Sequence, residues 1–119
     1  MSYSITGTTI RLTRGDTLPV EVTIYEADGK TEYEPQTGDS VRFALKRAAM
    51  TPGNKEFVDQ TPLILKPIPT DTLLLQLDPE DTAGLPFGNY KYDLELTFAN
   101  GAVCTFIANS DFILTPEVH

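Results

Sequence analysis

The sequence predicts an all-β domain: a two-sheet sandwich of about seven strands with one short helical turn near residues 79–83. Three observations carry that expectation. Sixteen Thr stand against eight Ala, and branched side chains suit a pleated surface. Apolar residues recur with period two in several separate runs, which places each set on one face of a strand. Turn residues separate these runs, and no ten-residue window holds a helical period.

Taken in order, Leu18, Val20, Val22 and Ile24 point one way while Glu21, Thr23 and Tyr25 point the other. An Asp28-Gly29 turn and a loop over residues 30–39 follow. Val41, Phe43 and Leu45 then alternate with Arg42, Ala44 and Lys46. Residues 48–62 read as a second long loop around Pro52-Gly53-Asn54. Pro62, Pro67 and Pro69 bracket the run Leu63–Lys66. Proline cannot donate to a central ladder, so this run is an edge strand or one that switches sheets. Leu73, Leu75 and Leu77 form a further alternating set.

Asp78-Pro79-Glu80-Asp81-Thr82-Ala83 reads as the helical turn. Asp78 can cap it, Pro79 suits the first helical position, the next two acids face the positive helix end, and Gly84 stops it. A long strand follows, with Tyr90, Tyr92, Leu94 and Leu96 alternating with Lys91, Asp93, Glu95 and Thr97. Asn100-Gly101 tolerates positive φ at both central positions and predicts a hairpin into Ala102–Ile107. A short turn leading into a tyrosine-bearing strand is how immunoglobulin-like sandwiches cross between sheets, with a tyrosine bonding back to upstream backbone. Tyr90 is the structural tyrosine of this corner, and Tyr92 is the second candidate. The fold expectation is therefore a single immunoglobulin-like sandwich over residues 1–119, with a small closed barrel as the alternative. The expected core is Leu18, Val20, Val22, Ile24, Val41, Phe43, Leu45, Leu73, Leu75, Tyr92, Leu94 and Leu96.

Composition narrows the chemistry. Nine Lys and Arg against seventeen Asp and Glu give a net charge of −8, which disfavours a nucleic-acid partner because phosphate binding needs a basic face. Residues 61–119 carry −6 of that charge and residues 1–60 carry −2. No apolar run approaches the roughly 20 residues of a membrane span. The first residues lack the pattern of a secretory signal, and one Cys cannot form an internal disulfide, so the expected setting is cytoplasmic.

No catalytic constellation assembles. The single histidine is His119, and no Ser-His or Cys-His pair can be built on it. Cys104 alternates with Val103 and Thr105 and is expected as a small buried apolar group. Asp78, Glu80 and Asp81, with Asp71, are the acids nearest a Ca²⁺ set, but they lack loop spacing and helix capping accounts for them. The eight glycines are scattered singly, so no phosphate loop exists. No metal or cofactor is expected. Arg42 and Lys46 should face Asp93 and Glu95 across neighbouring strands as cross-strand pairs. The same charges, with Arg47, could instead dock a neighbouring subunit. Leu63 and Leu65 mark an edge open to a partner strand, as does the opposite edge near Ile5–Leu12.

The order of these motifs resembles a known group. Ile10-Arg11-Leu12-Thr13-Arg14-Gly15-Asp16-Thr17-Leu18 leads into the first long strand, and Ser40–Lys46 forms another. Leu77–Leu85 precedes Gly88-Asn89-Tyr90-Lys91-Tyr92-Asp93-Leu94, and the chain closes with Asn100-Gly101 and Phe112–Val118. This layout is similar to small immunoglobulin-like proteins of phage and prophage tail clusters, such as the N-terminal domains of phage baseplate upper proteins. The resemblance implies a non-catalytic virion or assembly component that binds copies of itself or other phage structural proteins. It implies assembly in the cytoplasm, residence in the virion, and possible homo-oligomers. The Arg14-Gly15-Asp16 tripeptide, at the start of a strand, is read as coincidental rather than as an adhesion motif. The competing function class is a carbohydrate- or ligand-binding sandwich module. Such sites favour exposed Trp, of which there is none, leaving Tyr3, Tyr25, Tyr33 and Phe57. An enzyme ranks third.

Overall fold

A computed structural model describes residues 3–6, 8–26, 28–50 and 56–116. Among these residues eight strands form two sheets: β1 (Tyr3–Thr6), β2 (Thr9–Thr13), β3 (Leu18–Glu21), β4 (Ser40–Met50), β5 (Glu56–Ile68), β6 (Leu74–Leu77), β7 (Gly88–Thr97) and β8 (Val103–Thr115). A single helical turn, α1 (Pro79–Thr82), precedes β7. The large sheet has the order β1-β2-β8-β7-β4-β5, and β3 pairs with β6 in a small one. The series β8-β7-β4-β5 and the pair β3-β6 form the two layers of an all-β sandwich. β2 runs parallel to β8, with Ile10 opposite Phe112 and Leu12 opposite Leu114.

Period two decides the inner face. Val41, Phe43 and Leu45 of β4 and Tyr90, Tyr92, Leu94 and Leu96 of β7 are all buried, facing Leu18, Leu75 and Leu77 of the small sheet. At the centre, the Phe43 ring lies 5.7 Å from Tyr92 and 6.2 Å from Phe112. Such offset and tilted aromatic pairs add to the burial of their area. Val20 and Leu73, expected in the core, are only partly buried against it. Ile10, Leu12, Ile68, Phe112 and Leu114 belong to it although none was in the expected set. β3 ends at Glu21, but Val22 and Ile24 stay buried and Tyr25 bridges to Glu32.

The corner is built from local bonds. The Tyr90 hydroxyl donates to the Pro86 carbonyl at 2.6 Å, and burial pushes its pKa up, partly offset by Arg47. The Tyr92 hydroxyl donates to the Thr8 carbonyl instead, tying β7 to the turn before β2. Thr82 is fully buried, and its Oγ1 accepts the Gly15 N–H at 3.2 Å. Gly15 has φ 87 in a turn closed by Asp16 N–H to the Thr13 carbonyl, which fits the third position of a type II turn. Arg14 covers the Phe87 ring at 4.1 Å. Structural contacts thus occupy Arg14 and Gly15 of the Arg-Gly-Asp tripeptide.

Three local expectations are corrected. Residues 48–50 and 56–62 are strand rather than loop: β4 and β5 continue as a paired ribbon, with Ala48 opposite Val58, Ala49 opposite Phe57 and Met50 opposite Glu56. Its Pro52-Gly53-Asn54 turn lies outside the described residues. β5 also passes through Pro62 and Pro67 rather than stopping between them, which an edge position permits. In the β7–β8 connection only Gly101 takes positive φ. Gly101 N–H bonds the Phe98 carbonyl and Phe98 N–H bonds the Ala102 carbonyl. This is a three-residue hairpin with a left-handed glycine, not a two-residue turn.

Candidate interaction surface

The outer face of the large sheet carries the predicted charges. Arg42 stands opposite Glu95 and reaches it at 2.8 Å. Lys46 meets Asp93 at 2.5 Å, with both side chains about 15% exposed or less. The second Asp93 oxygen accepts the Asn109 N–H at 2.7 Å. Asn109 holds φ 50 beside a register shift in the β7–β8 pairing, so one carboxylate fastens β4, β7 and a bulge of β8. Lys91 bonds Asp111 at 2.5 Å on the same face. Arg42, Lys46, Asp93 and Glu95 are therefore brought together and engage one another. A self-neutralised face has little charge left for a partner.

The large sheet ends in β5 on one side and in β1 on the other, and the β5 edge is blunted. On β5, Leu63 and Leu65 are exposed at 38% and 52%, but Pro62 and Pro67 remove two donors from that edge. β8 pairs with β2 only through Phe112–Thr115, so its first half forms part of the opposite edge among the described residues. Register shifts between Tyr92 and Glu95 break its line, and bulges hinder strand addition. Cys104 lies here and is exposed, contrary to expectation. It sits opposite buried Leu96, but the two-stranded small sheet does not extend over this end of β8.

The β4–β5 ribbon is a separate feature. β4 pairs with β7 from Ser40–Thr97 to Arg47–Tyr90, and past Arg47 its only partner among the described residues is β5. A two-stranded ribbon thus leaves the sandwich. At its foot a notch of about 280 Å³ is lined by Arg47, Pro86, Phe87, Gly88, Asn89 and Tyr90. Arg47 is exposed and forms no ion pair among the described residues. Phe87 is 45% exposed beneath the Arg14 guanidinium.

The opposite end is acidic. A cleft of about 400 Å³ has Val22 and Ile24 in its wall and Glu32, Glu34 and Asp71 around it. Tyr33 donates to Asp39 at 2.6 Å and meets the Phe98 ring edge-on at 5.8 Å. Asp39 also accepts the Gln36 and Ala99 N–H groups. These bonds, that of Tyr33 first, hold the Asp39 carboxyl below its usual range and raise the Tyr33 hydroxyl. Asp28, bonded by the Thr31 hydroxyl and the Thr31 and Lys30 N–H groups, is lowered to about 2. Glu32, Glu34 and Asp71 thus ring the cleft, with Glu26, Asp28 and Lys30 on the adjoining loop.

That distribution corrects the charge map drawn from the two halves of the sequence. Most acids of the second half are engaged: Asp93, Glu95 and Asp111 as above, and Asp78 and Asp81 by Lys66 at 3.5 and 2.8 Å. Burial raises Asp81, but the Lys66 bond and the Asp78 N–H outweigh it and leave its carboxyl lowered. Among the described residues, Glu26, Glu32 and Glu34 on the loops before β4 are exposed and form no ion pair. Among the described residues no three His, Cys, Asp or Glu side chains group as a metal site, and no helix is long and apolar enough to cross a membrane. His119 lies outside the described residues, as do the side chains of Tyr3 and Phe57. No family model matches the chain, and no curated protein matches its sequence.

Proposed function

We propose that this chain is a non-catalytic structural or assembly protein of a phage or prophage tail, acting through protein–protein contacts. One observation carries the reading: the β4–β5 ribbon that projects past the last β7 partner. An isolated two-stranded hairpin is at best marginally stable in water, so a ribbon held away from its own core gains stability from a neighbour. The proline-interrupted β5 edge and the self-neutralised sheet face support the same view, since they limit where a partner can bind. The motif order shared with tail-cluster immunoglobulin-like proteins supplies the phage context.

Immunogold electron microscopy of particles released from the source strain tests this directly. Label on tails or baseplates is the expected result. Protein found only in soluble lysate, beside a coding gene flanked by polysaccharide-utilisation genes, would refute it and favour a ligand-binding module using the acidic cleft. Flanking tail-tube, tape-measure or portal genes would agree with the tail assignment.

A further inference from the structure

We infer that copies of this chain associate head to tail, with the ribbon foot of one copy seated against the acidic cleft of the next. The inference rests on the assembly reading and names its partner as a second copy of the chain. The register of β4 fixes the geometry. Ser40, opposite Thr97, lies at the cleft end, and Arg47, opposite Tyr90, lies at the ribbon foot. Seven residue steps at about 3.3 Å put the two sites roughly 23 Å apart along the sheet. They are opposite ends of one molecule.

Charge then selects the pairing. The cleft end presents Glu32, Glu34 and Asp71 around the cleft, with Glu26 on the same loop. The ribbon foot presents the exposed Arg47, and no carboxylate among the described residues lines the notch. A two-fold contact through the cleft end would set carboxylates against carboxylates. A two-fold contact through the foot would set cation against cation. Of the pairings between these two ends, foot on cleft is the one that brings opposite signs together, and that is a heterologous contact, which builds rings or filaments rather than a closed pair. Past Arg47 the ribbon also offers the open main-chain edge of Ala48–Met50 to the same neighbour. The outer sheet face does not compete, because its cations are held by Glu95, Asp93 and Asp111.

Charge reversal tests the contact with the full chain. Arg47→Glu is one variant and Glu32→Lys with Glu34→Lys the other; all three positions are exposed, and near-UV circular dichroism verifies each fold. Sedimentation velocity should show wild-type oligomers that dissociate towards about 1 M salt, where screening acts over only about 3 Å. Each variant alone should associate about tenfold more weakly or worse. An equimolar mixture of the two should reassociate, because the reversed foot then meets the reversed cleft. Arg42→Gln, on the self-neutralised face, should behave as wild type. A mixture that stays as dissociated as its components overturns the inference, as does wild-type association indifferent to salt and to both reversals. Wild-type protein that is monomeric at every salt concentration while tails still carry gold label overturns it too, and leaves the assembly reading standing with a different partner.

Discussion

Tyr90→Phe isolates the corner bond. The substitution keeps the ring in its buried position, 4% exposed, and deletes only the hydroxyl that donates to Pro86 at 2.6 Å. A hydrogen bond of this kind contributes about 1–1.5 kcal/mol net. The penalty for an orphaned acceptor does not add to it, because Pro86 is exposed and water can replace the hydroxyl. For 119 residues at ~2.1 cal/mol/K each, the unfolding entropy is about 250 cal/mol/K, so the midpoint should fall by about 4–6 °C. Equilibrium urea unfolding should show the same loss as a lower midpoint with an unchanged slope. Tyr90→Ala should cost about 3–5 kcal/mol, because it also empties the site. A Tyr90→Phe variant within about 0.3 kcal/mol of wild type would refute a stabilising corner bond, leaving the tyrosine as packing alone.

Asp93→Ala should cost about 2–3 kcal/mol in denaturant unfolding, because it removes the carboxylate that holds both the largely buried Lys46 ammonium and the Asn109 N–H. Arg42→Ala, from a half-exposed pair, should cost under about 1 kcal/mol; equal losses would contradict the difference in burial. Gly38→Ala should destabilise by about 1–3 kcal/mol, since Gly38 sits at φ +93 and an added Cβ would lie 2.7 Å from the Ala99 Cβ. An unchanged melting point would show that the loops before β4 and after β7 can separate freely. The lowered carboxyls of Asp28, Asp39 and Asp81 contribute stability that is present above their ordinary value of 3.8 and lost as pH falls through their folded values. Melting temperature should therefore drop between about pH 4 and about pH 2, the value Asp28 reaches, and Asp28→Asn should flatten that decline.

Local chemistry was legible in the sequence where alternation and turn residues coincide. Phe43, Leu45, Leu94 and Leu96 show their inward face by spacing alone, and the Pro-Phe-Gly-Asn-Tyr segment announces the corner. Non-local pairing leaves no comparable mark, so the match of Ile10 and Leu12 with Phe112 and Leu114 was missed. Periodicity also tells which way Cys104 points without telling whether anything covers it; a third strand on the small sheet would have buried that end of β8. The ribbon escaped because Ala48-Ala49-Met50 does not alternate and its pairing is carried by main chain. The signal that could have found it is Pro-Gly-Asn flanked by Ala-Ala-Met and Phe-Val. The acidic cleft was hidden by summing charge along the chain, since folding neutralises Asp93, Glu95 and Asp111 while leaving Glu32 and Glu34 exposed.

The parallel seam between β2 and β8 also governs when the molecule can be finished. The Thr115 hydroxyl bonds the Leu12 carbonyl across 103 residues, so the inward faces of Ile10 and Leu12 gain that cover only when almost the whole described chain exists. At about 5–20 residues per second, a ribosome takes roughly 5–20 s to span that interval. Such long-range closure also places refolding among the slower two-state domains, in the range of milliseconds to seconds. For that interval the growing chain carries an apolar strand without its partner, and its yield in the cell then depends on how quickly β8 arrives.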